Sequence, residues 1–273
     1  MTNPITIIKP RSGKYSFTFS EVWQHRELLL ALSLRDIKVR YKQTVMGVTW
    51  AVIQPVVTMV IFSIVFGRLA KIPSDGFPYP VFVFSGLLAW NFFQTAVASG
   101  GVSLLGAGSM ISKVYFPRII IPLASIGVSV IDFLIALIIL FLLMLIYSVP
   151  ITVHILLLPL FFAGLMFLVI GVSAWLSAVT VVYRDFRFVI PFVLQICLYL
   201  TPVIYPVSFI PKNWQWVLYL NPMFGWVEGI RSSILGLPIQ WGAVASSLFL
   251  TLFFVMLGAK YFAKAERRFA DVI

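Results

Sequence analysis

The sequence predicts an all-α membrane protein: six transmembrane helices, an N-terminal amphipathic interfacial helix, and short re-entrant or gate helices before the last span. Three observations lead there. Of 273 residues, 61% are hydrophobic and only 11% charged, at a mean hydropathy of +1.03, whereas a soluble domain carries about 25% charged residues. Uncharged runs long enough to cross a bilayer recur along the chain. The Lys and Arg residues gather in alternate connectors.

Stretches without Asp, Glu, Lys or Arg are Gly47–Gly67, Val81–Ser112, Ile119–Tyr183 (broken only by Asp132), Phe188–Pro211 and Ser232–Ala259. A spanning helix needs about 20 apolar residues, so the third run holds two spans. The polar, proline-marked turn Ser148-Val149-Pro150-Ile151-Thr152 divides it. The predicted spans are about 47–67, 81–105, 119–147, 153–181, 188–207 and 240–261. This gives a cytoplasmic arm with the interfacial helix over 1–46, a six-span domain over 47–262 and a cytoplasmic tail over 263–273.

With the N-terminus inside, the cytoplasmic flanks hold sixteen of the 20 Lys and Arg residues. The outside keeps Arg68, Lys71, Lys212 and Arg231. Positive charge stays inside, so both termini are expected in the cytoplasm. The net charge of +11 is read as facing an anionic leaflet rather than a nucleic acid. The lone Cys197 excludes an internal disulfide, and the polar, basic first 20 residues carry no cleavable signal pattern.

Ahead of the first span, Leu30, Leu34, Ile37 and Tyr41 fall on one helical face, and Arg35, Lys38 and Lys42 on the other. Such a helix is expected to lie among the headgroups. Lys113-Val-Tyr-Phe-Pro-Arg118 and Arg184-Asp-Phe-Arg187 are short cytoplasmic connectors. The outer segment Lys212–Gly236 has two helix-like pieces split at Asn221-Pro222, each too short to cross and rich in Trp, Leu and Ile. That pattern is a re-entrant or surface-lying hairpin. On it Glu228 and Arg231, three apart, are placed to pair, and an exposed pair contributes only about 0–1 kcal/mol.

Enzyme templates fail. No HExxH, CxxC or Gly-x-Ser-x-Gly occurs, and Ser12-Gly13-Lys14 is no phosphate loop because Tyr15 follows it and Ile8 occupies the first Gly position. No cofactor is expected on the chain itself. Asp132 interrupts the third span, where an ionisable group costs at least about 2.5 kcal/mol. It reads either as a proton or cation site or as a carboxyl group bonded across a helix interface. Aromatic residues make up 16% of the chain. Candidates for a surface on which sugars slide are Phe62, Phe66, Trp90, Phe92, Phe93, Phe192 and Tyr199, some beside amides such as Asn91 and Gln94. A ring stacks on a sugar's C–H face without gripping it.

The run LSLRDIKVRYKQTVMGVTWAVIQPVVTMVIFSIVFG, then KVYFPR, and late NPMFGWVEGIRSSILG resemble the ABC-2 type permeases that export polysaccharides. The resemblance covers about Leu28 to the end. It implies a bacterial inner-membrane permease that moves a lipid-linked glycopolymer, of the O-antigen, capsule or teichoic acid kind, with a smaller drug or lipid as the alternative cargo. It implies a homodimer served by two separate ATPase chains that bind ATP with magnesium. The interfacial helix would carry Arg35, Lys38 and Lys42. Lys113, Tyr115, Phe116 and Arg118 would dock on the ATPase, and Glu228 and Arg231 would belong to the outward gate.

Overall fold

The computed structural model describes residues 19–42, 47–111, 113–114 and 116–266. Two helices precede the spans, α1 (Phe19–Gln24) and α2 (Arg26–Lys42). The first span is α3 (Gly47–Phe62), prolonged by a π-helical stretch over Ser63–Leu69. Then come α4 (Tyr79–Gly106), the short α5 (Gly108–Ile111), α6 (Ile120–Ile146), α7 (Leu158–Val182) and α8 (Phe186–Leu200). The short α9 (Gln215–Leu218) and α10 (Phe224–Leu235) lead to α11 (Trp241–Ala265). Among the described residues there is no strand.

Five helical segments are long and apolar enough to cross a membrane, and α8 is a shorter apolar sixth. Their bounds follow the uncharged runs, with one difference. The fifth span was expected to reach residue 207, but its helix stops at Leu200. Pro202 forces this. Its ring would clash with the carbonyl one turn back, and it holds the preceding residue in extended backbone. Thr201 is extended accordingly, at φ −96° and ψ 138°.

α4 is the axis of the bundle. In its apolar stretch 78% of residues are buried, against 11% in the first span. Around it stand α6, α7, α10 and part of α8. α7 meets α11 backbone to backbone, since a Cβ on Gly258 would stand 2.4 Å from the Gly171 carbonyl oxygen; small residues permit such close approach. One cluster gathers Leu32, Leu104, Phe116, Ile120, Ala178, Val181 and Phe262 at one end of the bundle. Tyr79, Ile204, Asp75 and Ser208 meet at the opposite end of the spans. The chain therefore threads back and forth as the charge alternation requires.

The outer hairpin splits in two. Its first piece lies on the surface, with Trp214 and Trp216 over 60% exposed. In the second piece, all 12 residues of α10 are buried. A helix this short is tolerated at such depth because protein satisfies it on every side. Gly225 N–H donates to Ser247 Oγ at 2.7 Å, and Trp226 Nε1 to Thr251 Oγ1 at 3.0 Å. Gly236, left-handed at φ 74°, ends the helix as a C-terminal cap.

Candidate functional site

α10 brings Glu228 and Arg231 into the bundle rather than onto its surface. Arg231 is fully buried and Glu228 is 8% exposed. Arg231 Nη1 donates to Glu228 Oε1 at 2.5 Å and Nη2 to the Val203 carbonyl at 2.8 Å. The guanidinium carbon lies 4.1 Å from the centre of the Phe82 ring. Tyr79 donates to the Ile204 carbonyl at 2.7 Å, and Asn221 Nδ2 to Thr201 Oγ1 at 2.8 Å. These donors hold the irregular segment 201–206, which continues from α8. Gly86 makes room for the assembly, since a side chain there would stand 2.5 Å from Arg231 Nη2 and 2.8 Å from the Val203 carbonyl. The expectation of an exposed, weak pair is corrected. Removing one partner of a buried pair costs about 3–5 kcal/mol, because the other charge stays buried.

At the other end, the first connector is fastened to its own chain. Phe116 is 5% exposed, packed in the cluster with Leu32, Ile120 and Phe262. Arg118 donates from Nη1 to the Glu266 carbonyl and from its backbone N–H to Glu266 Oε1 at 3.3 Å. Phe116 is thus corrected from a partner anchor to a staple of the loop, its ring turned inward onto the hydrophobic cluster of its own chain. Lys113 and Val114 point outward, and Tyr115 lies outside the described residues. The second connector is the more exposed of the two. Tyr183, Arg184, Asp185, Arg187 and Phe188 are exposed, and the Arg187 guanidinium carbon sits 4.6 Å from the Phe188 ring centre.

The seven candidate channel aromatics fall into three groups. Trp90, Phe92 and Phe93 are 0–6% exposed. Trp90 Nε1 donates to Gln94 Oε1 at 2.8 Å, and Phe92 packs with Phe133 and Phe162 at 5.7 and 5.0 Å between ring centres. Their faces are covered, so a sliding role is withdrawn for these three: α4 is the axis, and its rings form the core. Phe62 and Phe66 are half-buried, edge to face at 5.4 Å. Phe192 and Tyr199 are exposed, on the open side of α8. They share that side with Phe188 and Gln195, at steps of four, three and four residues, so one stripe about 16 Å long carries three rings and an amide. Ile190 and Leu194 face inward. Gln195 was not singled out from the sequence. The signal was an amide in an apolar span, in register with rings already marked.

α2 carries the remaining difference. Its packed face includes Leu29, Leu32, Ser33 and Asp36, whereas Leu30 and Leu34, read as part of the apolar face of a helix among the headgroups, are left 60% and 53% exposed by the protein itself. Arg35, Lys38 and Lys42 are exposed as expected, with Arg35 Nη2 on Asp36 Oδ1 at 2.9 Å. Instead of crossing the bundle, α2 runs beside α6. Ser33 Oγ donates to the Ala124 carbonyl at 3.2 Å. Eight residues further along both helices, Tyr41 donates its hydroxyl to Asp132 Oδ1, and Arg40 Nη2 meets Asp132 Oδ2 at 2.8 Å. Equal steps mean the helices run in the same direction for about 12 Å. Of the two readings of Asp132, the structure brings about the bond across a helix interface. Burial first, then the hydrogen bond to Asp132, raises the Tyr41 phenol well above its ordinary pKa, so it stays a donor. Leu32 is the one buried apolar residue of α2 among those described. A buried Leu contributes about 1.5–3 kcal/mol, so polar contacts carry much of the attachment.

Among the described residues no cluster of His, Cys, Asp or Glu is set to hold a metal. Residues 27–235 match the ABC-2 type transporter family, and the chain belongs to it. An O-antigen export system permease protein RfbA of Klebsiella pneumoniae is 24% identical over 248 residues, 90% of this chain and 95% of its own. The protein of the same name in Myxococcus xanthus is 28% identical over 74% of this chain and 78% of its own. The polysialic acid transport protein KpsM of Escherichia coli is 25% identical over 75% and 80%.

Proposed function

We propose that this chain is the membrane permease of an ATP-driven exporter that carries a lipid-linked polysaccharide of the O-antigen kind out across a bacterial inner membrane. The observation that carries this reading is the match to an O-antigen permease over 90% of the chain. The likeness to a polysialic acid transporter keeps capsular polysaccharide as the second cargo.

Two copies of the chain face each other. α3 and α8 are the spans least covered by their own protomer, and each exposes an amide, Gln54 and Gln195. An amide is poorly placed against lipid but well placed along a polar path. The stripe Phe188, Phe192, Gln195 and Tyr199 borders that path, with Phe62 and Phe66 beside it. Glu228 and Arg231 set the outward gate by holding segment 201–206 at the end of α8. ATP, with magnesium, is bound and hydrolysed by two copies of a separate ATPase chain. That chain meets the cytoplasmic end at Lys113, Val114 and the connector from Tyr183 to Phe188. ATP acts by binding two states of the assembly unequally.

The test is genetic and chemical. Loss of the chain should remove the surface polymer and leave lipid-linked polymer inside the cell; an unchanged surface would end the polysaccharide reading. Purified chain in lipid should hydrolyse ATP only after the ATPase is added. In a Cys197→Ser background, cysteines at Ser148 and Asn213 should react with an impermeant thiol reagent from outside, and cysteines at Lys113 and Asp185 should not. The reverse pattern would overturn the cytoplasmic placement of both termini.

A further inference from the structure

The contact of Arg40 and Tyr41 with Asp132 joins two parts of the chain that are distant in sequence. α6 begins at the first connector, where Ile120 N–H bonds the Pro117 carbonyl at 3.1 Å. Whatever moves the connector moves α6. α2 leads, within a few residues, into α3 at Gly47. Asp132 is the thirteenth residue of α6, about 18 Å along it from the connector. At that depth a carboxylate needs partners, and α2 supplies a cation and a phenol, Arg40 and Tyr41. The same contact therefore makes Asp132 tolerable and holds α2 on α6. Nearer the connector Leu32 packs with Ile120 and Ile121, and the backbones come close at small residues: a Cβ on Gly127 would stand 3.0 Å from Ser33 Cβ.

We propose that Asp132, Arg40 and Tyr41 form a latch that makes α2 and α6 one lever, so that displacement of the first connector is handed to the first span at its cytoplasmic start. Asp132 and Arg40 are then positioning residues for transport, acting through α2 on a span they do not belong to. The proposal rests on the permease reading above. It differs from a mere packing role in one respect: the latch matters because the two helices travel together, so any other bond between them serves equally well.

That bond is available. Two cysteines in place of Ser33 and Gly127, in the Cys197→Ser chain assembled with its ATPase, lie close to the Cβ separation of about 3.5–4.5 Å that a disulfide needs. Three results are expected. Asp132→Ala lowers polymer export at least ten-fold while ATP hydrolysis by the assembled complex stays within two-fold. The initial rate of 33–127 disulfide formation, read on gels without reference to cargo, falls several-fold in the same variant. Completing the disulfide with oxidant restores export to within three-fold of the parent, and reductant abolishes it again. Asp132→Glu, which keeps the charge, retains at least a third of export. Where Asp132→Ala does not accumulate, Arg40→Gln takes its place, with the same loss and the same recovery. Normal export by the variants, failure of the disulfide to restore it, or arrest of the otherwise native chain by the disulfide would each overturn the latch. A parent that exports no polymer but shows the change in disulfide rate would instead overturn the cargo.

Discussion

α8 and α10 are both shorter than the long apolar helices of the bundle, both apolar, and separated by little more than twenty residues, yet the protein uses them in opposite ways. α10 has 12 residues, all buried, while α8 has 15, of which Ile190 and Leu194 are buried. Composition explains the difference better than hydropathy does. α10 alternates large residues with Gly225, Gly229, Ser232 and Ser233, so neighbouring helices close in on every side. α8 carries Phe, Val, Ile and Leu around most of its girth with Gln195 and Tyr199 on the open side. Small residues invite protein contact, whereas a ring of bulky ones keeps other helices at a distance. The pair Glu228–Arg231 is then a buried part of the fold, and the α8 stripe is an open surface that stability scarcely feels.

Substitutions separate the two roles. Arg231→Ala leaves Glu228 buried and the Val203 carbonyl unmet, and should cost about 3–5 kcal/mol. A large fall in thermal midpoint in nanodiscs checks it, and Arg231→Lys should rescue little because one ammonium cannot reproduce the fork. Glu228→Gln keeps the shape but removes the compensating charge, for a loss of about 1–3 kcal/mol together with reduced export. A stability change near zero would return the pair to the surface. Trp90→Phe deletes one donor in the core of α4, worth about 1 kcal/mol, and should leave export within two-fold; a strong transport defect without instability would put that ring back on the path. Phe192→Ala and Gln195→Leu should shift stability by no more than about 0.5 kcal/mol while lowering the rate of polymer export. Equal losses of stability in α8 and α10 variants would dissolve the contrast.

The spans were legible because each is a long apolar run bounded by charge, and the observed helices follow those runs to within a few residues. The fifth was overextended because hydropathy continues through Thr201–Pro206 while Pro202 ends the helix. The face of α2 that packs on α6 was not legible for a plainer reason. Leu28, Leu29, Leu30, Leu32 and Leu34 surround the helix, so periodicity supports two faces about a quarter-turn apart. The contacts that decide between them, Ser33 on Ala124 and Tyr41 on Asp132, are polar and distant in sequence. An i,i+3 spacing announced the Glu228–Arg231 pair but not its depth; the two glycines and two serines around it carried that signal. The inward turn of Phe116 had no periodic signature at all, since a connector of six residues has no face.

The meeting of Gly171 with Gly258 has a mechanical consequence. Where two helices touch through side chains, rotamer changes act as a bearing, and the helices slip past one another in small steps. Here a carbonyl rests against bare Cα, and moving either helix by one residue drives a Cβ into that carbonyl. The fourth and last spans form a keel with no bearing in it, and α10 is wedged against both. A motion that keeps this contact intact flexes the molecule elsewhere, away from the α7–α11 seam.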